Sequence, residues 1–110
     1  MAARYVLGMD LGTTNSVVAY EPVWAIGTGK NDSPPEADKT MAVIRESLAN
    51  LFDERIAQQV RLLYGGSVKP NNIDDFMACQ HIDGALVGGA SLQAESFSRI
   101  VQFSNMAASI

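Results

Sequence analysis

Three glycine-rich stretches hold the residues best able to bind a ligand: Gly27-Thr28-Gly29-Lys30, Gly65-Gly66-Ser67 and Gly88-Gly89. Each ends a short apolar run. Glycine lets the backbone approach a ligand closely and aim its N–H groups at it. Three such loops at one end of a sheet suit an anion, most simply a phosphate. The plainer alternative is three tight turns that need glycine for their geometry. For a single loop the plainer alternative is the better one; for three together phosphate is. Two nucleotide motifs fail. Gly29-Lys30 lacks a glycine five positions earlier and precedes Asn31, so there is no Walker A loop. Gly27-x-Gly29 is followed by Asp32 where a dinucleotide fingerprint needs glycine.

Other chemistry is sparse. Cys79 and His81 are the only cysteine and the only histidine. Together they supply too few ligands for a zinc site, so they read as loop residues, with no metal and no cofactor expected. One cysteine excludes an internal disulfide and suggests a reducing, cytoplasmic setting. Asn31-Asp32-Ser33 matches the glycosylation pattern, which in such a setting is accidental. A net charge of −4 argues against nucleic acid as a partner. No apolar run approaches the ~20 residues of a membrane span. The apolar start, Met1 to Gly8, is interrupted by Asp10 and does not read as a signal peptide. The 110 residues suit one compact domain.

The loops need elements to hold them. A strand is expected over Val17–Trp24, a second over Val60–Tyr64 and a third over Ile82–Val87. Ser33 can cap a helix whose first turn holds Pro34 and Pro35, with Glu36 placed for a capping box. Ala37, Met41, Ile44, Leu48 and Leu51 give that helix a buried face. A short helix over Pro70–Met77 should bury Ile73, Phe76 and Met77. A last helix over Leu92–Phe103 should turn Phe97, Ile100 and Val101 inward. The tail from Ser104 has no pattern and should fray. Alternating strands and helices imply an α/β fold of parallel strands with right-handed crossovers. Ligands then sit at the C-terminal ends of the strands.

At this level of detail the residues resemble a known family. Ala19-Tyr20-Glu21-Pro22-Val23-Trp24-Ala25-Ile26-Gly27-Thr28-Gly29-Lys30 resembles the sixth strand and closing loop of the triosephosphate isomerases. Tyr64-Gly65-Gly66-Ser67-Val68 resembles their seventh loop, and Asp83 to Leu92 their eighth. Order and spacing agree from about Ala19 to Phe103. The resemblance implies a partial TIM barrel of three consecutive βα units. It implies that Glu21 is the base that moves a proton between adjacent carbons of a phosphorylated triose. Pro22, Val23, Trp24, Ala25, Ile26, Gly27, Thr28, Gly29 and Lys30 would form the mobile lid, and the Gly27 N–H would reach the phosphate on closure. Ser67, Gly88 and Gly89 would hold that phosphate. Tyr64 and Ser67 would bond to the closed lid. Ile26 and Leu86 would clamp Glu21 between apolar side chains, which disfavours its charged form and strengthens it as a base.

The resemblance also implies two further groups, a lysine from the first strand's loop and a histidine from the fourth. Neither has a counterpart here, because His81 precedes the third strand. Loss of one oxyanion donor costs about 10²–10³ in rate, so this chain alone should turn over negligibly. An open arc would leave strand edges unpaired and favour a homo-oligomer. The remaining expectation is a non-catalytic, oligomerising βα unit or a chimera that binds phosphate weakly.

The first residues differ. Tyr5 to Ala19, with Gly12-Thr13-Thr14-Asn15 at its centre, resembles the opening of the actin-like ATPases, nearest the heat-shock chaperones. There the turn would contact ATP phosphates and Asp10 would lie near magnesium. A structural use fits better: Tyr5–Asp10 can pair antiparallel with Val17–Pro22 as a β-hairpin covering one edge of the arc. The expected organisation is thus a hairpin segment over 1–18, a partial barrel over 19–103 and a tail over 104–110.

Overall fold

The computed structural model describes residues 5–11, 16–23 and 32–104. Strand β1 (Tyr5–Leu11) and strand β2 (Ser16–Pro22) lead the chain. Helix α1 (Pro34–Leu51), helix α2 (Glu54–Gln59) and strand β3 (Arg61–Tyr64) follow. Helix α3 (Ile73–Met77), strand β4 (Gly84–Ala85), a 3₁₀ turn over Gly89–Leu92 and helix α4 (Ala94–Val101) complete it.

The strands form one sheet in the order β1-β2-β3-β4. β2, β3 and β4 are parallel, with Tyr20 beside Tyr64 and Tyr64 beside Ala85. β1 is antiparallel to β2, from Tyr5 opposite Pro22 to Leu11 opposite Ser16. This is the expected hairpin on the expected edge. The sheet does not close: β1 and β4 are its two outer strands. The fold is a partial TIM barrel.

Alternation along the strands makes the core. Val18, Tyr20 and Pro22 of β2 and Leu62 and Tyr64 of β3 are buried, while Val17, Ala19, Glu21 and Leu63 between them are only half-buried. A period of two sends one set to the helices and the other to the concave face. Val18, Tyr20, Leu62 and Tyr64 join Ala37, Met41 and Leu48 of α1 and Ile73 and Phe76 of α3 in one cluster. Tyr64 and Phe76 stack at 4.3 Å between ring centroids.

α1 begins where its cap predicts: the Ser33 side chain accepts the Glu36 N–H at 3.3 Å. Other expectations need correction. Leu51 is exposed rather than buried, because it lies in the last turn of α1, beside the open edge. α2 was not expected. Asp53 caps it by accepting the Ile56 N–H at 2.8 Å, but six residues are too few to show a period. Its last turn takes up Val60, whose N–H bonds to Ile56, so β3 starts one residue late. β4 is shorter than expected because it has one neighbour, although bonds from Asp83 to Leu62 and from Leu86 to Tyr64 extend the pairing. α3 and α4 are also shorter than expected. Of α4's expected inward residues only Ile100 is buried; Phe97 and Val101 are exposed at the uncovered β4 edge. Ser104 is tied by its N–H to Asp74 at 2.8 Å.

Candidate active site and phosphate grip

Register dictates the site. One step beyond the row Tyr20–Tyr64–Ala85 lies the row Glu21, Gly65, Leu86. The pairing reaches that row through bonds from the Gly65 N–H to Tyr20 and from the Leu86 N–H to Tyr64, both 2.9 Å. The middle position has no side chain. A Cβ on Gly65 would lie 3.0 Å from Cγ of Glu21 and 3.1 Å from Cβ of Leu86. The Glu21 and Leu86 side chains therefore flank the space above Gly65. Glu21 is half-buried, and with Gly65, Gly66, Ser67, Leu86, Val87 and Gly88 it lines a cavity of about 270 Å³.

A larger cavity of about 680 Å³ adjoins it and shares Ser67 and Gly88. Gly89, Lys69 and Ser96 also line it, and Lys69 is its one charged residue among the described residues. A Cβ on Gly88 or Gly89 would meet nothing within 4 Å, so glycine there is not required by the chain's own packing. It leaves room for a ligand against the backbone. The 3₁₀ turn starts directly after Gly88, and the Ser91 N–H and hydroxyl both donate to the Gly88 carbonyl.

The loop after β3 is tightly specified. Ser67 has φ +59°, the only non-glycine residue with positive φ among the described residues. The Asn72 side chain donates to the Ser67 carbonyl at 2.9 Å and accepts the Lys69 N–H at 2.8 Å. The Tyr64 hydroxyl donates to the Gly66 carbonyl at 3.1 Å and accepts the Asp32 N–H at 2.9 Å. Burial pushes the Tyr64 phenol up to about 12. Burial also raises the Asp32 carboxyl, against the bond it accepts from the Ser33 N–H.

The expected site residues Glu21, Ser67, Leu86, Gly88 and Gly89 thus come together, with Tyr64 beneath them. Of the lid, Pro22 is buried against the Gly66 loop and Val23 is exposed. Trp24, Ala25, Ile26, Gly27, Thr28, Gly29 and Lys30 lie outside the described residues, as do the turn Gly12–Asn15 and the side chain of Asp10. Asn72 was missed. The sequence places it inside the helix expected over Pro70–Met77. Among the described residues no three histidine, cysteine or acidic side chains are placed to hold a metal ion, and no helix is long and apolar enough to cross a membrane.

A sequence model of the triosephosphate isomerase family matches residues 4–104. Triosephosphate isomerase from Caldanaerobacter subterraneus subsp. tengcongensis is 58% identical over 90 residues, which is 82% of this chain and 36% of that protein. The enzyme from Chloroflexus aurantiacus is 60% identical over 89 residues, 81% of this chain and 36% of its own. That from Streptococcus thermophilus is 55% identical over 89 residues, covering 81% and 35%. The chain therefore spans about a third of the length of the curated relatives it matches.

Proposed function

The chain belongs to the triosephosphate isomerase family, and from that premise we propose that it carries the base and the phosphate grip of an aldose–ketose isomerase acting on phosphorylated trioses. The substrates would be glyceraldehyde 3-phosphate and dihydroxyacetone phosphate, as in glycolysis. The observation that supports this most is the placement of Glu21 and Leu86 on either side of Gly65 in one cavity, beside a glycine-lined cavity fit for phosphate. In this reading the Glu21 carboxylate removes a proton from the carbon next to the carbonyl. An enediolate forms, the hydroxyl proton passes from one oxygen to the other, and the same carboxyl returns the first proton to the adjacent carbon. Gly27 and the rest of the Pro22–Lys30 lid would close over the phosphate and exclude water.

The chain alone should turn over negligibly. The enediolate oxygen needs donors from a lysine and a histidine that this sequence does not place here, and each missing donor costs about 10²–10³. A second reading is therefore kept: a non-catalytic βα unit that holds phosphate weakly and self-associates. The two open sheet edges favour it. The N-terminal hairpin serves in both readings as an edge strand rather than an ATP contact. The boundary between hairpin and barrel would fall near Val18-Ala19, in the middle of β2.

Isomerase activity should be measured on purified chain beside Glu21→Ala prepared identically. Equal, near-zero rates support the inactive reading. Turnover that disappears in Glu21→Ala means that an assembly has rebuilt the site, and ends the claim of inactivity. Competition by inorganic phosphate but not by ATP separates both from a nucleotide site.

A further inference from the structure

We infer that Asn72 is a positioning residue for the phosphate grip, holding Ser67 in its left-handed backbone conformation. The inference rests on the proposed role of Ser67, Gly88 and Gly89 in phosphate binding. A positive φ is unfavourable for any residue with a Cβ, and Ser67 adopts it at +59°. Something must hold it there. The Asn72 amide donates from Nδ2 to the Ser67 carbonyl and accepts the Lys69 N–H on Oδ1, at 2.9 and 2.8 Å. These two bonds bracket Val68, which is buried. Only an amide offers a donor and an acceptor in one plane at this reach.

Asn72 stands at the N-cap of α3, yet its side chain makes no capping bond to that helix. It turns back to the loop instead. Nor does Asn72 line the 680 Å³ cavity, whereas Ser67 and Lys69 do. Its influence on a ligand therefore passes through the backbone it holds.

The test uses the full chain and inorganic phosphate as the probe. Backbone amide NMR gives the phosphate affinity, and the Ser67 carbon shifts report the sign of its φ without any ligand. Asn72→Ala should weaken phosphate about tenfold, the size of one unfavourable backbone conformation. It should also move the Ser67 shifts away from left-handed values. In a Ser67→Gly background Asn72→Ala should cost less affinity than in the wild type, since glycine takes a positive φ without steric cost. Unchanged Ser67 shifts in Asn72→Ala overturn the inference, and so does an equal loss of affinity in both backgrounds. If the wild-type chain binds no phosphate, the phosphate reading falls, and the shifts alone decide whether Asn72 holds the loop.

Discussion

The phenolic oxygen of Tyr64 accepts the backbone N–H of Asp32 at 2.9 Å, joining the end of β3 to the entry of α1. The same hydroxyl donates to the Gly66 carbonyl, so one side chain fixes two loops at the site. A Cβ on Gly66 would sit on that hydroxyl, which explains why the second glycine of the loop is needed.

Tyr64→Phe keeps the ring on Phe76 and removes only the oxygen. It should cost about 1–3 kcal/mol, because a buried carbonyl and a half-buried N–H lose their partner. The hydroxyl also sets an alkaline limit. Burial raises the Tyr64 phenol to about 12, so its contribution is complete below the unfolded value near 10. It is lost as the pH rises from there through about 12. Denaturant melts across that window should show stability falling in the wild type, and a flatter profile in Tyr64→Phe.

Arg45 holds the opposite end of the sheet. Its guanidinium donates to the carbonyls of Ala57 and Val60 and to Asp83 Oδ2, the last at 2.7 Å. Asp83 Oδ2 also accepts the Leu62 N–H at 2.9 Å. One ion pair thus ties α1, the end of α2, β3 and the approach to β4. The Arg45 side chain is 12% exposed, so its loss leaves Asp83 and two carbonyls short of a donor. Arg45→Met should lower stability by about 2–3 kcal/mol in urea melts, and Arg45→Lys should restore little. A change below about 0.5 kcal/mol would show the network to be incidental.

Much of this was legible in the sequence, and the rest was not for identifiable reasons. Ser33 and Glu36 announced α1, because capping is local and needs only residue types at fixed spacing. Glu21, Gly65 and Leu86 lie far apart in the chain, yet parallel pairing puts them in one row, so the strand order expected from the sequence is enough to bring them side by side. Leu51, Phe97 and Val101 misled for the opposite reason. Periodicity shows that a helix has an apolar face but not whether a neighbour covers it. Asn72 gave no signal, since a cap and a loop brace use the same residue type before a helix. Asp83 gave no sign of its ion pair, because its partner Arg45 lies 38 residues away.

Asp74 gives an acid-side prediction. Both Arg99 nitrogens bond to it, at 2.6 and 3.3 Å, and the Ser104 N–H joins at 2.8 Å. The Arg99 bond, then the Ser104 bond, hold its carboxyl below the usual range. A depressed value stabilises above the unfolded value near 3.9 and is lost as the pH falls through the folded one. Thermal melts from about pH 5 down to pH 2 should therefore fall more steeply in the wild type than in Asp74→Asn. The difference should be small, because the pair is partly exposed and screened by salt. Identical slopes would count against the pair.

The β1 edge makes the last prediction. Leu7 and Met9 are about half exposed, at 48% and 51%. They stand opposite Tyr20 and Val18 and so face the helix layer. With Val43, Ile44 and Leu51 of α1 they line an apolar groove of about 420 Å³. Among the described residues the strand's outer backbone has no neighbour in the sheet. An unpaired edge beside apolar side chains is a template for association, and lysine on such an edge blocks it. Sedimentation should show the wild-type mass rising with concentration. Leu7→Lys with Met9→Lys should hold the chain monomeric while moving stability little, since neither side chain is buried. A wild type that stays monomeric at high concentration would show the open arc to be soluble as it stands. Association that survives both lysines would move the contact to the β4 edge, where Phe97 and Val101 are exposed.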